Sequence, residues 1–155
     1  MAFIFPAPGV AGVEATLNIS VTGDASNLVV PAMQDITVNN SNDIFTWTQL
    51  DEGSKQQVAT TATNSLDLNI VLDQTTFFGT GAGAAVAVNK GIFGLSKDKT
   101  KVEFQLYLGD TSAGGAGKTL GGFGYITGLA PTVSADAPVW VSPVTLTITG
   151  DYTVT

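Results

Sequence analysis

Acidic and amide side chains form a stripe along residues 65–73. Every second residue there is apolar, and Asp67, Asn69 and Asp73 are among the residues that alternate with them. Residues two positions apart on a strand lie about 7 Å apart on one face, so these carboxylates, together with Glu103, could hold a cation or act as an acid/base pair on a substrate. No pocket or nucleophile is indicated near them. The pattern therefore favours a solvated or pore-lining stripe over a catalytic or metal site.

Residue types that carry much enzyme chemistry are missing from the chain. The sequence has no histidine and no cysteine, which removes the commonest general base, every thiol nucleophile and every thiolate metal site. We therefore predict a protein that is not an enzyme, with no catalytic residues, no cofactor and no metal ligands.

Two glycine-rich segments match nucleotide-binding loops only in part. Residues 112–119 read SAGGAGKT, one residue from a phosphate-binding P-loop, but that loop needs glycine at its first position and a helix after Lys118 and Thr119. The segment that follows, 120–122, contains two glycines and is a poor helix former. The glycines of residues 79–83 lack a surrounding βαβ unit. Surface loops are therefore predicted in place of nucleotide sites.

The composition indicates one domain whose surface is low in charge. A chain of 155 residues, 44% of them hydrophobic, can bury a core as a single domain. Charged residues make up 12%, about half the usual share, and a subunit covered by neighbours can have such a surface. The net charge is −7 and all six cationic residues are lysines. Stable binding to phosphates is not expected, because affinity for nucleic acid comes from Lys and Arg.

No targeting or membrane-spanning segment is predicted. The apolar start of the chain, residues 1–8, has no basic residue ahead of it and contains Pro6 and Pro8, unlike a secretory signal. No apolar run approaches the ~20 residues of a membrane helix. We therefore expect no membrane partner.

Alternating hydrophobicity predicts the strands that position the stripe. A period of two is typical of a strand with one buried and one solvated face. Strands are predicted over residues 15–22 with a continuation at 28–30, and over 33–39, 65–73, 101–108, 123–133 and 137–153. One short helix is predicted over residues 83–95, which begin with an alanine-rich run, and the Gly/Ala/Ser-rich residues 109–122 predict a loop. The predicted fold class is mainly β, in one domain over residues 1–155.

Residues 40–64 are polar and predict a long, protruding β-hairpin loop. Turn-forming residues stand at its start and near its middle, and Phe45 and Trp47 alternate with Ile44, Thr46 and Thr48. Long ordered loops in compact domains are usually functional. The alternative is that both aromatic rings pack on the core.

The first 13 residues are uncharged and begin with a short aromatic and aliphatic run. Phe3, Ile4 and Phe5 precede Pro6 and Pro8, so the segment cannot be a helix and is too apolar to remain exposed to water. It is either a strand on the chain's own core or an N-terminal arm that docks on a neighbouring subunit.

The order of these elements resembles that of a known family. Four segments contribute to the likeness: residues 35–40 (DITVNN), 45–51 (FTWTQLD), 59–68 (ATTATNSLDL) and 143–151 (PVTLTITGD). With a small helix between the strands, the chain resembles the tail tube (major tail) proteins of tailed bacteriophages. The likeness covers most of the chain and rests on strands and polar loops.

The resemblance implies a β-sandwich or half-barrel subunit with one short α-helix, whose sheets continue between subunits into a ring barrel. Six subunits would form a ring, and stacked rings would form the tube that conducts DNA, with a negative lining that does not bind it. The lumen-lining residues that it implies are Asp35, Thr37, Asn39, Asp67, Asn69 and Asp73. The residues that it implies for ring stacking and subunit contact are Phe3, Ile4, Phe5, Phe45, Trp47, Asp51, Glu52 and Lys55.

The same resemblance implies the partners and the location. The chain would bind copies of itself, the tail tip or baseplate, the tail terminator and, in a sheathed tail, the sheath protein. Phage DNA would pass without specific binding. Assembly would occur in the host cytoplasm, and the product would be part of the virion tail.

Two other classes of function remain open from the sequence. One is another β-rich structural protein, such as a capsid-decoration protein or a pilin-like subunit. The other is a monomeric β-sandwich that binds a carbohydrate or another ligand. Rings or tubes, trimers or strand-exchanged fibres, and a monodisperse monomer are the respective expectations for the purified protein.

Overall fold

Seven strands and two short helices are present in the part of the chain that the structure, a computed structural model, describes. The described residues are 15–22, 27–30, 33–51, 53–81, 86–109, 115–136 and 139–155. The strands are β1 (Ala15–Val21), β2 (Leu28–Val30), β3 (Met33–Thr48), β4 (Lys55–Val71), β5 (Val102–Leu108), β6 (Lys118–Leu129) and β7 (Val141–Val154). The helices are α1 (Gln74–Phe78) and α2 (Ala87–Lys97), both between β4 and β5.

All seven strands belong to one antiparallel sheet in the order β2-β1-β5-β6-β7-β4-β3. The expected mainly β fold is confirmed, and its strands form one sheet rather than two. Along the chain, β3 and β4 form a hairpin at one edge, and β1 with β2 forms the other edge. Each strand therefore has one face toward the core and one away from it.

The core face collects the apolar half of each alternating pattern. Leu66 of β4 lies opposite Leu146 of β7, and Leu17 of β1 lies opposite Leu106 of β5. All four are almost completely buried, and burial of one such side chain contributes roughly 1.5–3 kcal/mol. The helices add their own apolar residues to the same core: Phe77, Ala87, Ile92 and Leu95.

The helical region differs from the predicted single helix over residues 83–95. Helix α2 runs from Ala87 to Lys97, and α1 precedes it at Gln74–Phe78; residues 83–85 lie outside the described residues. Helix α1 was missed because five residues containing two threonines and two phenylalanines have weak helix propensity. Its formation depends on the cap at Asp73, whose carboxylate accepts a 3.0 Å hydrogen bond from the Thr76 N–H.

Two glycines hold the helices against each other. Gly79 and Gly91 have φ of +81° and +66° with ψ of 170° and 175°, a region that is essentially restricted to glycine. A Cβ atom on Gly91 would lie 2.3 Å from the Gly79 nitrogen, and one on Gly79 would lie 2.2 Å from the Asn89 oxygen. The two backbones are therefore closer at this crossing than any side chain allows.

Strand β6 begins inside the segment predicted as a loop, 109–122. Gly122, one of the glycines that suggested a loop, lies in β6 where the sheet leaves little room for a side chain, and so does Gly124 in the predicted strand that follows. A Cβ atom on Gly122 would lie 3.1 Å from the Phe104 ring and 3.1 Å from Tyr152 Cβ, and one on Gly124 would lie 2.3 Å from the Thr147 oxygen. The other strand ends shift too: β6 ends at residue 129 instead of 133, β7 begins at 141 instead of 137, and β4 ends at 71 instead of 73.

The predicted hairpin loop is an extension of two strands. β3 and β4 are paired from Met33 opposite Ile70 to Thr48 opposite Lys55, leaving a turn at residues 49–54. Pairing of β4 with β7 runs only from Ser65 onward, so β4 extends about 30 Å past β7 with β3 as its sole partner strand among the described residues.

A bulge interrupts this free part of the hairpin. Asp43 lies between the pairs made by its neighbours, and two threonines of β4 lie opposite it. Thr60 Oγ1 donates to the Asp43 backbone oxygen at 3.2 Å, and Thr61 Oγ1 donates to Asp43 Oδ2 at 2.8 Å. An added residue of this kind bends the strand and increases its twist, so the tip of the hairpin is turned relative to its base.

Candidate functional site

The polar halves of β3 and β4 meet on the face of the sheet that is opposite the core. Asp35 lies opposite Asn69, Thr37 lies opposite Asp67, and Asn39 lies opposite Ser65. Directly opposed residues share a face of the sheet. The structure thus brings together five of the six residues expected in the lumen: Asp35, Thr37, Asn39, Asp67 and Asn69.

Neutral donors hold the two carboxylates in place. Asn69 Nδ2 donates to both oxygens of Asp35, at 2.9 and 3.1 Å. Asp67 accepts from Asn39 Nδ2 through one oxygen and from Thr145 Oγ1 through the other, the latter at 2.8 Å. Neutral side chains of the protein therefore hold both carboxylates in place.

Their negative charge is not neutralised. Within the described ranges the single ion pair joins Lys90 to Asp98 at 3.0 Å, so no lysine contacts Asp35 or Asp67. Both acids line an open groove with Thr37, Asn69 and Thr145. An open groove on the surface of the sheet does not enclose a substrate, so this arrangement presents charge to the space in front of the sheet.

Polar side chains recur on the same face of the other strands, where β6 also exposes the rings of Phe123 and Tyr125. Thr127 of β6 and Thr147 of β7 share a 2.8 Å hydrogen bond between their hydroxyl groups. Farther along, a second open groove is lined entirely by polar side chains: Asn18, Ser20, Asn27, Glu103 and Gln105. Sequence analysis did not place Thr145, Thr127 or Asn18 at the site, although the alternation of Thr145, Thr147 and Thr149 with apolar residues was a usable signal.

Asp73 has a different place from the other acids of the predicted stripe. It follows the end of β4 and is the N-cap of α1, accepting from the Thr76 N–H and hydroxyl, each at 3.0 Å. The backbone hydrogen bond from Thr76 is the main cause that lowers the pKa of Asp73, followed by the Thr76 hydroxyl. Its carboxylate is therefore committed to the helix and does not belong to the β3–β4 stripe.

The free part of the hairpin exposes apolar side chains. The rings of Phe45 and Trp47 are stacked with centroids 5.9 Å apart and planes at 25°, and 60% and 36% of their surfaces are exposed. Val58 lies opposite Phe45 and is 48% exposed. The alternative in which the two rings pack on the core is wrong, because the hairpin extends past the core.

The remaining residues expected at subunit contacts are placed only in part. Asp51 is exposed in the turn of the hairpin, and Lys55 is exposed at the first position of β4. Glu52 and the three residues of the expected arm, Phe3, Ile4 and Phe5, lie outside the described residues.

Other kinds of site find no support in the described ranges. No group of three or more carboxylate, imidazole or thiol side chains there could hold a metal ion. None of the described helices has the length and apolarity needed to cross a bilayer. Lys118 and Thr119 open a strand, whereas a P-loop would require them at the start of a helix.

The fold agrees with that of solved tube proteins over nearly the full chain. A chain from the tail of an empty gene transfer agent particle, computed with C6 symmetry, is similar with a TM-score of 0.68 at 13% identity, covering 94% of this chain and 98% of that one. The SPP1 tail tube gives 0.64 at 11% identity, covering 94% and 78%. The chain has the tail tube fold.

A third tail tube structure extends the comparison to contractile systems. A chain from the sheath–tube complex of an extracellular contractile injection system, PVC, is similar with a TM-score of 0.60 at 12% identity, covering 96% of this chain and 93% of that one. No protein-family profile matches the sequence, and no curated protein matches it. The expected tail tube fold, which is that of structural tube proteins, is thus confirmed by three-dimensional similarity rather than by sequence.

Proposed function

We propose that the chain is the tube subunit of a phage-like tail, in which six-membered rings stack into a conduit for DNA. One observation carries this proposal. On a tail tube fold, the face opposite the core presents two hydrogen-bonded carboxylates, Asp35 and Asp67, that no lysine of the described residues neutralises. A tube needs an inner surface of this kind.

The two edges of the sheet support ring formation. At one edge, β3 has β4 on one side and no described strand on the other, and at the opposite edge β2 has only β1. Such edges expose unpaired N–H and C=O groups that another strand can bind. Pairing the β3 edge of one copy with the β1–β2 edge of the next would continue the sheet around a ring and remove both edges.

The polar face would then line the lumen. Asp35, Thr37, Asn39, Asp67 and Asn69 would repeat in every subunit and form a negative band around the channel. Like charge repels the phosphates of DNA and Lys or Arg would be needed to hold them. DNA would therefore pass through the tube on a layer of water without binding it.

Ring stacking would use the hairpin and the N-terminal segment. The exposed pair Phe45 and Trp47, with Asp51 and Lys55 at the turn, lies on the part of the hairpin where, among the described residues, β3 and β4 pair only with each other. Exposed apolar surface of this kind marks an interaction site. Glu52 and the apolar residues 3–5 would contribute to the same contacts.

The remaining partners follow from the position of a tube in a tail. The tube would bind the tail tip or baseplate at one end, the tail terminator at the other and, in a sheathed particle, the sheath along its length. The product would be part of the virion tail, assembled in the host cytoplasm. The likeness to the SPP1 tail tube supports a role as a tube subunit, and the likeness to the PVC sheath–tube complex is compatible with a tube inside a sheath.

Negative-stain microscopy of the purified protein tests the proposal. Stacked rings with six-fold symmetry in end views are the expected result, with the lumen visible as a stain-filled channel. A monodisperse monomer at millimolar concentration would refute it and favour a ligand-binding domain. Trimers or strand-exchanged fibres would refute it in favour of another structural protein.

A further inference from the structure

The positive charge of the chain is concentrated in one short segment. Residues 90–101 contain four of the six lysines and a single acid, Asp98. The rest of the chain has two lysines and twelve acids. Since Lys90 pairs with Asp98 at 3.0 Å, Lys97, Lys99 and Lys101 remain as a basic cluster on an acidic protein.

These three lysines are exposed and lie between the end of α2 and the start of β5. Lys97 is the last residue of α2, and Lys101 directly precedes β5; all three side chains are exposed. The ammonium group of Lys101 lies 5.1 Å from the centroid of the Phe123 ring, on the polar side of β6. We call Lys97, Lys99 and Lys101 the basic cluster.

The basic cluster lies at the end of the sheet away from the hairpin tip. Strand β5 is antiparallel to β6, β6 to β7 and β7 to β4, so β5 begins at the end where β4 finishes. The hairpin turn, 49–54, lies beyond the start of β4 and hence at the opposite end. A subunit that stacks head to tail must present two different, complementary surfaces at these two ends.

The hairpin turn has the complementary charge. Its six residues contain two acids, Asp51 and Glu52, and no base, and Asp51 is exposed. Lys55 follows the turn as the first residue of β4. The turn also lies at the end of the part of β3 and β4 that extends past β7, so it is well placed to meet another copy.

We propose that the basic cluster of one copy is the receiving surface for the acidic hairpin turn of a copy in the neighbouring ring. This inference rests on the proposed stacking of rings and adds the surface that the hairpin meets. Exposed charges attract each other over about 8 Å at physiological ionic strength, and complementary charge sets the register and orientation of association. This pairing would make stacking directional, because two acidic hairpin turns would repel each other, and so would two basic clusters.

Charge reversal and its compensation test the pairing. The first variant is Lys97→Glu with Lys99→Glu and Lys101→Glu, and the second is Asp51→Lys with Glu52→Lys. Each should raise the protein concentration needed for tube formation, measured by sedimentation and microscopy, by about tenfold or more. The variant that combines all five changes should return to within about threefold of wild type, because the reversed charges again attract.

A matched control and a milder variant complete the design. Lys118→Glu alters an exposed lysine at the start of β6, at the hairpin end of the sheet, and should leave tube formation unchanged. If the first variant fails to fold by circular dichroism, Lys97→Gln with Lys99→Gln and Lys101→Gln replaces it and should still raise the required concentration. Loss of tubes from Lys118→Glu as severe as from the cluster variant would show a general charge effect and overturn the inference.

Failure of this inference differs from failure of the proposed function. If wild-type protein forms tubes and the two reversed variants form them equally well, the receiving surface is wrong and the tube stands. The same holds if the combined variant is no better than the worse of the two. If wild-type protein forms neither rings nor tubes, the proposed function itself fails and this inference falls with it.

Discussion

Replacement of Gly91 by alanine should destabilise the fold severely, because two separate costs coincide at this residue. Its φ of +66° with ψ of 175° is a conformation in which other residues incur a cost of about 1–3 kcal/mol. The added Cβ atom would also lie 2.3 Å from the Gly79 nitrogen and 2.7 Å from the Phe77 oxygen. Both contacts are with backbone, so the clash can be relieved only by separating α1 from α2.

That separation would loosen the packing of Phe77, which is 1% exposed. Overpacking in a well-packed interior costs about 1–3 kcal/mol. With the conformational cost, we expect about 4 kcal/mol in the free energy of unfolding. For a chain of this length each kcal/mol lowers the melting temperature by about 2–4 °C, so Gly91→Ala should melt roughly 10 °C below wild type.

Gly81→Ala is the matched control. Gly81 also has a positive φ, +75°, but a Cβ atom there would meet no atom of the described residues within 4 Å. Only the conformational cost applies, about 1 kcal/mol, so the melting temperature should fall by about 3 °C. Thermal unfolding followed by circular dichroism, at a concentration below tube formation, compares the two. Equal shifts in both variants would refute the argument that the close approach of α1 and α2 requires glycine.

Three further predictions concern the polar face, the hairpin and the helix cap. Asp35→Lys with Asp67→Lys should leave tubes intact and slow DNA ejection from particles that carry them, because a positive lining binds phosphates. Phe45→Ala with Trp47→Ala should weaken tube formation, seen by sedimentation, while the melting temperature stays within about 3 °C, because both rings are exposed. Hydrogen bonds lower the pKa of Asp73 below its usual 3.8. The cap therefore stabilises the fold above pH 3.8, and this contribution is lost as the pH falls through the lowered pKa. Asp73→Ala should remove that part of the acid dependence of stability.

Each of these has an outcome that contradicts it. Asp136→Lys reverses an exposed charge between β6 and β7, outside the strands of the sheet, and ejection slowed equally by it would remove the electrostatic role of the lining. Tube formation at the wild-type level by the variant that lacks both aromatic rings would exclude the hairpin from stacking. If Asp73→Ala and wild type have the same urea denaturation midpoint at every pH between about 2.5 and 5, the cap adds nothing to stability.

Much of the polar face could be predicted from the sequence, because alternation is a local property. Asp67 and Asn69 stand between leucines and an isoleucine, and Asp35 and Thr37 stand beside Ile36 and Val38. A strand has only two faces, so these patterns determine which side chains turn away from the core. The pairing of Asp35 with Asn69 could not be predicted, because it depends on the register between β3 and β4.

Two predictions from the sequence were wrong because the residues concerned have tertiary roles that their types do not indicate. The Gly/Ala/Ser-rich residues 109–122 indicated a loop, but Gly122 lies in β6, where the Phe104 ring occupies the space of a side chain. Asp73 continued the alternating acids, but its carboxylate caps α1. In both cases the deciding neighbours are remote in sequence or become neighbours only once the chain folds.

The sequence by itself determined the alternation of apolar and polar residues, the shortage of charge and the absence of histidine and cysteine, because these are properties of single residues and their spacing. The tertiary structure decided the order of the strands in the sheet, the free length of the hairpin and the opposite placement of the acidic turn and the basic cluster. Those depend on hydrogen bonds between distant segments, and a linear pattern contains no information on which distant segments pair.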